Sequence, residues 1–269
     1  MSGQREQVEK FRSLHAQGRL LLLPNAWDAA SARLAEEAGA EAIATSSAAL
    51  AWSNGYADGE TMTREVILAS ARAILRVVHL PVSVDSEAGY SPDPAKVADH
   101  VAALIDLGVA GINLEDGRDP PDLLAAKIRA IKAMARARDA DIFINARCDV
   151  YLRNLADGEA GLKETLRRGK LYAEAGADGF FVPALNDLAG IREVVKTVSL
   201  PVNILVMRAT PPLAELKAAG VRRVSAGALI GRAAYGAAQK AVTMLLKEGK
   251  PDAIFATSGD CPEFNRLFG

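Results

Sequence analysis

Apolar residues fall along this chain in short continuous runs. Eight of them read as strands: RLLLLPNA (19–26), AEAIATSS (40–47), LPVSVDSE (80–87), VAGINLED (109–116), DIFINARC (141–148), ADGFFVPA (177–184), LPVNILVM (200–207) and VRRVSAGAL (221–229). Near-continuous apolar character is expected of strands covered on both faces, as in a parallel sheet under helices. Between the runs the period changes. In PAKVADHVAALIDLG, Val97, Val101, Leu104 and Ile105 fall on one face of a helix, and Ile67, Ala71, Ile74, Leu75 and Val78 do the same in TREVILASARAILRVV. Asp93 followed by Pro94 predicts an N-cap and a first helical residue. Glycines in AGAEAI, LGVAGI, AGADGF and AGVRRV stand where a helix must stop before the next strand.

Eight strand–helix alternations fit the ~250 residues typical of a (β/α)8 TIM barrel. The expectation is therefore an α/β fold, one barrel domain over residues 1–269. An open doubly wound sheet competes, but no dinucleotide-binding glycine fingerprint follows the first strand. The tail PDAIFATSGDCPEFNRLFG reads as a C-terminal helical extension that packs on a neighbouring subunit.

Composition narrows the partners. A net charge of −1 gives no electrostatic case for nucleic acid or an anionic membrane. No apolar run approaches the ~20 residues needed to span a bilayer, and the polar start MSGQREQVEKFRSLHAQGR lacks the apolar centre of a signal peptide. Cys148 and Cys261 lie far apart, as two reduced thiols of a cytoplasmic protein would. A small molecule is the expected partner.

Barrel active sites lie at the C-terminal ends of the strands, and polar residues concentrate there. Ser46 and Ser47 end the second run, and Asp58 follows in its loop. Asp85 and Glu87 end the third, Glu115 and Asp116 the fourth, and Asn145, Arg147 and Asp149 the fifth. Asn203 and Ser225 lie in the last two. Strand parity puts Asp85 with Glu87, Asn113 with Glu115, and Asn145 with Arg147. Facing the axis, Asp58, Asp85, Glu87 and Glu115 would repel one another, and a divalent cation resolves that repulsion. All-oxygen ligands favour Mg²⁺ or Mn²⁺ over Zn²⁺. His15, His79 and His100 fall on helices or at a helix end, so neither a zinc site nor a histidine base is expected. Plainer roles compete: Asp116 and Asp149 as helix N-caps, Ser46 as a turn former, Arg147 as the partner of Asp149.

The stretches PNAWDAASARLAEEAGAEAIATSSAALAWSNGYADGE, VSVDSEAGY, GINLEDG, INARCDVYL, GADGFFVPA and GVRRVSAG, in this order and spacing, resemble the isocitrate lyase/phosphoenolpyruvate mutase superfamily across nearly the whole chain. The resemblance implies a (β/α)8 barrel, usually a homotetramer, with the last helix swapped between subunits. It implies Mg²⁺ on Asp85, with Asp58, Glu87 and Glu115 contributing directly or through water. Ser46, the amides of Ser46 and Ser47, and Arg147 resemble the grip on a substrate carboxylate, and Asn203 joins them as a binding candidate. The implied activity is a Mg²⁺-dependent carbon–carbon lyase on a 2-oxo or 2-hydroxy di- or tricarboxylate, like an oxaloacetate decarboxylase or methylisocitrate lyase, through a metal-stabilised enolate. The alternatives are phosphonopyruvate-type mutase or hydrolase chemistry, or a 2-oxo acid binding protein with residual activity. The sequence departs from the family in places. EDGRDPPDLLAAK (115–127) holds neither the Lys-Arg-Cys-Gly-His loop of the isocitrate-type lyases nor the gating Lys and Asn of the mutases. Cys148 has the opposite parity from Arg147, and Glu87 stands where many members have Asp.

Overall fold

The computed structural model describes residues 2–249, 251–258 and 261–269. Its parallel strands are β1 (Leu21–Leu23), β2 (Asn25–Ala26), β3 (Ile43–Thr45), β4 (Val82–Asp85), β5 (Gly111–Glu115), β6 (Phe143–Arg147), β7 (Gly179–Phe181), β8 (Val202–Leu205) and β9 (Arg223–Ser225). Each of β3 to β8 pairs with the next in sequence. β1 and β2 are one run interrupted at Pro24, which has no N–H to give to a ladder. The first half pairs with β9 (Leu23↔Ser225) and the second with β3 (Asn25↔Ala44), so this run closes the eight-position barrel.

Helices follow the strands as the patterning requires. They are α1 (Ser2–Ser13), α2 (Ala29–Glu37), α3 (Ser47–Ser53), α4 (Arg64–Leu75), α5 (Pro94–Leu107), α6 (Pro121–Ala137), α7 (Gly158–Ala175), α8 (Leu188–Thr197), α9 (Leu213–Ala218), α10 (Leu229–Glu248), α11 (Asp252–Ser258) and α12 (Phe264–Phe268). The α5 stripe Val97, Val101, Leu104 and Ile105 is buried, and Asp93 caps the helix by accepting from the Ala95 N–H at 2.9 Å. Gly108 ends it at φ 100°, in the left-handed region. After α10 the chain folds back onto α2, where the Arg33 Nε donates to the Leu267 carbonyl. Val242, Leu245, Leu246 and Phe255 stay exposed on α10 and α11.

Strand alternation divides the interior into two cores. Outward residues such as Val84, Ile112, Ile144 and Val182 pack under the helices. Inside the barrel lie small or polar positions, so α1 supplies the missing volume. Its Phe11 reaches Gly111 and Phe143, the first residues of β5 and β6, and so plugs the N-terminal end. A Cβ at Gly111 would stand 2.8 Å from the Phe11 ring, which leaves glycine as the residue that admits it. His15 stacks on Phe143 at 4.5 Å, with its Nδ1 against the Phe11 carbonyl.

Burial holds both enclosed imidazoles neutral: His15 is pushed down to about 3, with Arg223 adding to the effect, and His100 on α5 to about 4, with Arg64 adding. A histidine with a lowered folded pKa contributes stability that is complete above its unfolded pKa of about 6.5 and is lost as pH falls toward the folded value. Two such groups together give up about 3 kcal/mol between pH 7.5 and 5.5. Urea denaturation of the parent and of the His15→Leu/His100→Leu variant isolates this contribution, since the carboxylates are common to both. The stability difference should shift by that amount in favour of the variant over this range. A difference independent of pH would mean that the two rings titrate in the native state.

Candidate active site

Asp85 is the last residue of β4 and lies in register with Asn113 of β5. Its N–H donates to the Thr45 hydroxyl at 2.8 Å, and its Oδ2 accepts the Ser47 N–H at 3.1 Å. Oδ1 is buried and has no donor. A buried carboxylate oxygen left unsatisfied costs about 1–3 kcal/mol or more, so this oxygen is free to take a cation. The neighbouring serines differ from expectation. Ser46 caps α3, its Oγ accepting the Ala49 N–H at 3.4 Å, and its own N–H is taken by the Ala26 carbonyl within the sheet. Of the two amides expected to grip a carboxylate, one therefore serves the barrel and the other serves Asp85. The Ser46 hydroxyl proton remains free to donate.

Glu87 does not share the direction of Asp85, because the strand has ended. It adopts φ 46°, and its carboxylate accepts from the Glu60 N–H at 2.7 Å and the Tyr90 hydroxyl at 2.8 Å. The Glu60 carboxylate in turn accepts the Tyr90 N–H at 2.5 Å. Glu60 and Tyr90 are each at φ 59°, so three non-glycine residues in the left-handed region are tied to one another. Such strain persists only where the surroundings over-determine it. Here it latches the loop after α3, which carries the exposed Asp58, onto the turn after β4. Burial raises the Glu87 pKa against the pull of the Tyr90 and Glu60 hydrogen bonds, and the nearby charges of Asp85 and Asp58 raise it further.

Glu115 and Arg147 end β5 and β6 in register. Arg147 Nη1 lies 2.5 Å from Glu115 Oε2, while its Nε and Nη2 fork onto Asp149 at 2.6 and 2.9 Å. Burial raises the pKa of Glu115 against the pull of the Arg147 guanidinium. Arg153 touches the same two acids, Asp149 at 3.3 Å and Glu115 at 3.5 Å. Much of the positive charge anticipated at the mouth is thus arginine.

Asp149 is no N-cap, and neither is Asp116. Asp116 faces outward, where it accepts the Asp149 N–H at 2.8 Å, the Tyr172 hydroxyl at 2.5 Å and Arg168 Nη1 at 2.8 Å. Cys148 also faces outward into the strand–helix core, and burial pushes its thiol above the ordinary range.

Asn203 sits deeper. It belongs to a buried belt in which Asn145 Nδ2 donates to Asn113 Oδ1 (2.9 Å) and Asn203 Oδ1 (3.0 Å), while Asn203 Nδ2 reaches Ser225 Oγ (3.2 Å). Sequence reasoning missed Arg223. This fully buried arginine donates from Nη2 to Asn113 Oδ1 at 3.2 Å, lies 5.8 Å over the Phe11 ring, and leaves Nε and Nη1 without a partner. Its parity with Ser225 was the available signal.

Among the described residues no three His, Cys, Asp or Glu side chains form a ready-made metal cage. Both Glu87 oxygens take hydrogen bonds and Glu115 is ion-paired, so the expected four-carboxylate convergence reduces to Asp85 as the free anchor. That still fits Mg²⁺, which is commonly held by one or two carboxylates and keeps several waters.

The family model for phosphoenolpyruvate phosphomutase matches residues 11–246. An uncharacterized protein of Mycobacterium tuberculosis H37Rv is 42% identical over 224 residues, 81% of this chain and 82% of that one. The 2-methylisocitrate lyase of Escherichia coli K12 is 30% identical over 263 residues, 92% of this chain and 87% of that one. A solved structure from Burkholderia cenocepacia J2315, provisionally assigned as a phosphonomutase, superposes with a TM-score of 0.83 at 41% identity, over 92% of this chain and 100% of that one. With its parallel α/β barrel and these relatives, the chain belongs to the phosphoenolpyruvate mutase/isocitrate lyase superfamily.

Proposed function

We propose that this protein is a Mg²⁺-dependent carbon–carbon lyase acting on a 2-oxo or 2-hydroxy di- or tricarboxylate. The observation that carries the proposal is the buried Asp85 Oδ1, a carboxylate oxygen without a donor at the end of a central strand. In this reading Asp85 holds Mg²⁺, with Glu87, Glu115 and Asp58 acting on its water shell. The bound ion would supply Lewis acidity toward the oxygen on C2 of the substrate.

The chain's own groups do the rest. Ser47 fixes the Asp85 rotamer by donating its N–H. Ser46 offers a hydroxyl proton to the substrate's 1-carboxylate. Arg147 has spent three of its five N–H groups on Glu115 and Asp149, and it directs the remaining two to the substrate. Asn203 acts at one remove, by holding Asn145. Loss of a carboxylate from a 2-oxo diacid requires no general base. That suits a site whose cysteine points away and whose histidines lie off the rim. A 2-hydroxy substrate needs a proton acceptor, and Glu115 is the carboxylate in place for it.

A second reading, phosphonopyruvate-type mutase or hydrolase chemistry, is favoured by the matching family model and by the name of the Burkholderia relative. Turnover of oxaloacetate, 2-methylisocitrate, 2,3-dimethylmalate and phosphonopyruvate, with Mg²⁺ and with EDTA, separates the two. Metal-dependent cleavage of one of the first three supports the lyase. Turnover of phosphonopyruvate alone transfers the assignment to P–C chemistry. Oxalate binding with no turnover leaves a 2-oxo acid binding protein.

Asp85→Ala should abolish measurable Mg²⁺ binding in calorimetry and activity with it, while circular dichroism stays that of the parent. Unchanged Mg²⁺ affinity would remove Asp85 from the ligand set.

Cys148→Ala should retain activity within a few-fold, since its thiol is buried behind the strand. A fall on the order of 10³ in kcat, typical of deleting an acid–base group, would put the thiol in the chemistry after all.

A further inference from the structure

The two arginines of the β5–β6 rim are not equivalent. Arg147 is 13% exposed and its contacts to Glu115 and Asp149 run from 2.5 to 2.9 Å. Arg153 is 45% exposed and touches the same acids at 3.3 and 3.5 Å. Arg147 completes a rigid fork on Asp149, the geometry that makes arginine–carboxylate pairs strong. Arg153 makes long contacts through Nε and Nη2, which leave three of its N–H groups uncommitted. Its backbone is fixed nonetheless. The Arg153 N–H donates to the Asp149 carbonyl at 2.9 Å, and the Arg118 Nη2 donates to the Arg153 carbonyl at 3.3 Å. A secured backbone, a loosely held guanidinium and a half-exposed position describe an arm with donors to spare.

The charges around it say which partner it would take. Arg147 supplies one charge against the two of Glu115 and Asp149 and Arg153 supplies the second, so Arg153 takes a further carboxylate with its uncommitted N–H groups while it stays beside them. Toward β3 and β4 the rim is acidic, with Asp58, Asp85 and Glu87, and would repel the far carboxylate of a diacid. We propose that Arg153 receives the second acidic group of the substrate and so selects dicarboxylates over monocarboxylates. This assignment rests on the 2-oxo/2-hydroxy acid reading above and adds to it the residue that reads the distal acidic group.

The probes are oxalate, short enough to be read by the metal and the 1-carboxylate grip alone, and malate (both enantiomers), which adds a distal carboxylate. Dissociation constants are measured by calorimetry on the Mg²⁺-loaded protein. Arg153→Gln should weaken malate by about 10- to 100-fold, the range of a charge-assisted contact, and leave oxalate within about twofold. Arg153→Lys, which keeps the charge but loses the fork, should recover part of the malate affinity. Equal weakening of both ligands would make Arg153 a support for Glu115 and Asp149 only, and would overturn the proposal, as would no change in either. Arg208, exposed after β8, is the competing cation. If Arg208→Gln gives the malate-selective loss instead, the assignment to Arg153 is wrong. A parent that binds oxalate but not malate overturns this inference alone. A parent that binds neither overturns the functional reading beneath it as well.

Discussion

The rim of this barrel depends on Arg147 standing between two carboxylates that could not otherwise be buried. Asp149 has no solvent exposure and Glu115 very little. Withdrawing the cation from such a cluster strands its acids at a cost of about 3–5 kcal/mol. The pairing is local in origin. Glu115 and Arg147 end adjacent parallel strands in register, so the ladder itself sets them side by side. The next residue on each strand turns to the other face. Asp116 there collects Tyr172 and Arg168 and holds the Asp149 N–H. Two charge clusters therefore sit back to back across the β5–β6 pair, and the outer one fixes the acid on which the inner one closes.

The same logic of small volumes and paired charges runs down the barrel. Glycine and alanine at Gly111, Gly179, Ala42 and Ala44 leave room that the Asn113–Asn145–Asn203 belt, Arg223 and Phe11 fill. Within the belt the Nδ2 groups of Asn145 and Asn203 and the Oδ1 atoms of Asn113 and Asn203 all find partners, which is what makes buried amides tolerable. Arg223 is the exception, a buried cation with only one side-chain hydrogen bond. The Asp85 carboxylate raises its pKa against the far larger effect of burial. Asp85 thus has a cation behind it as well as an unfilled acceptor, and its charge is balanced in part from below the site.

What could be read from the sequence was whatever depends on period and parity. The eight strands, the α5 stripe, the Asp93 cap, the outward Cys148 and the shared direction of Glu115 and Arg147 all follow from alternation along single elements. What could not be read depends on backbone geometry or on partners distant in sequence. Glu87 broke the parity rule because β4 ends two residues earlier and the chain enters the left-handed region, which no residue type at that position announces. Ser46 and Ser47 had the expected place, but their amides were already claimed by Ala26 and Asp85. The polar N-terminus gave no sign that Phe11 enters the barrel. The clustered carboxylates did call for positive charge, and arginines, which the acidic pattern alone did not point to, supply much of it.

That incompleteness bears on the metal. If four free carboxylates met at the mouth, a cation would be needed for folding as much as for chemistry, and the empty site would be strongly destabilised. Here Glu115 and Asp149 are balanced by Arg147 and Arg153, and Glu87 is satisfied by Glu60 and Tyr90. Of the three carboxylates Asp85, Glu87 and Glu115, it is Asp85 that keeps a buried oxygen without a partner. On the metal-dependent reading proposed above, the barrel is pre-organised before an ion binds, which would bear on the energetics of that reaction. Little of the binding energy of a metal or an anionic substrate is needed to order the site, and more of it remains for holding the reacting atoms. The latch of Glu60, Glu87 and Tyr90 belongs to the same economy. Its backbone strain is met during folding, so the loop bearing Asp58 is already in place when the substrate arrives.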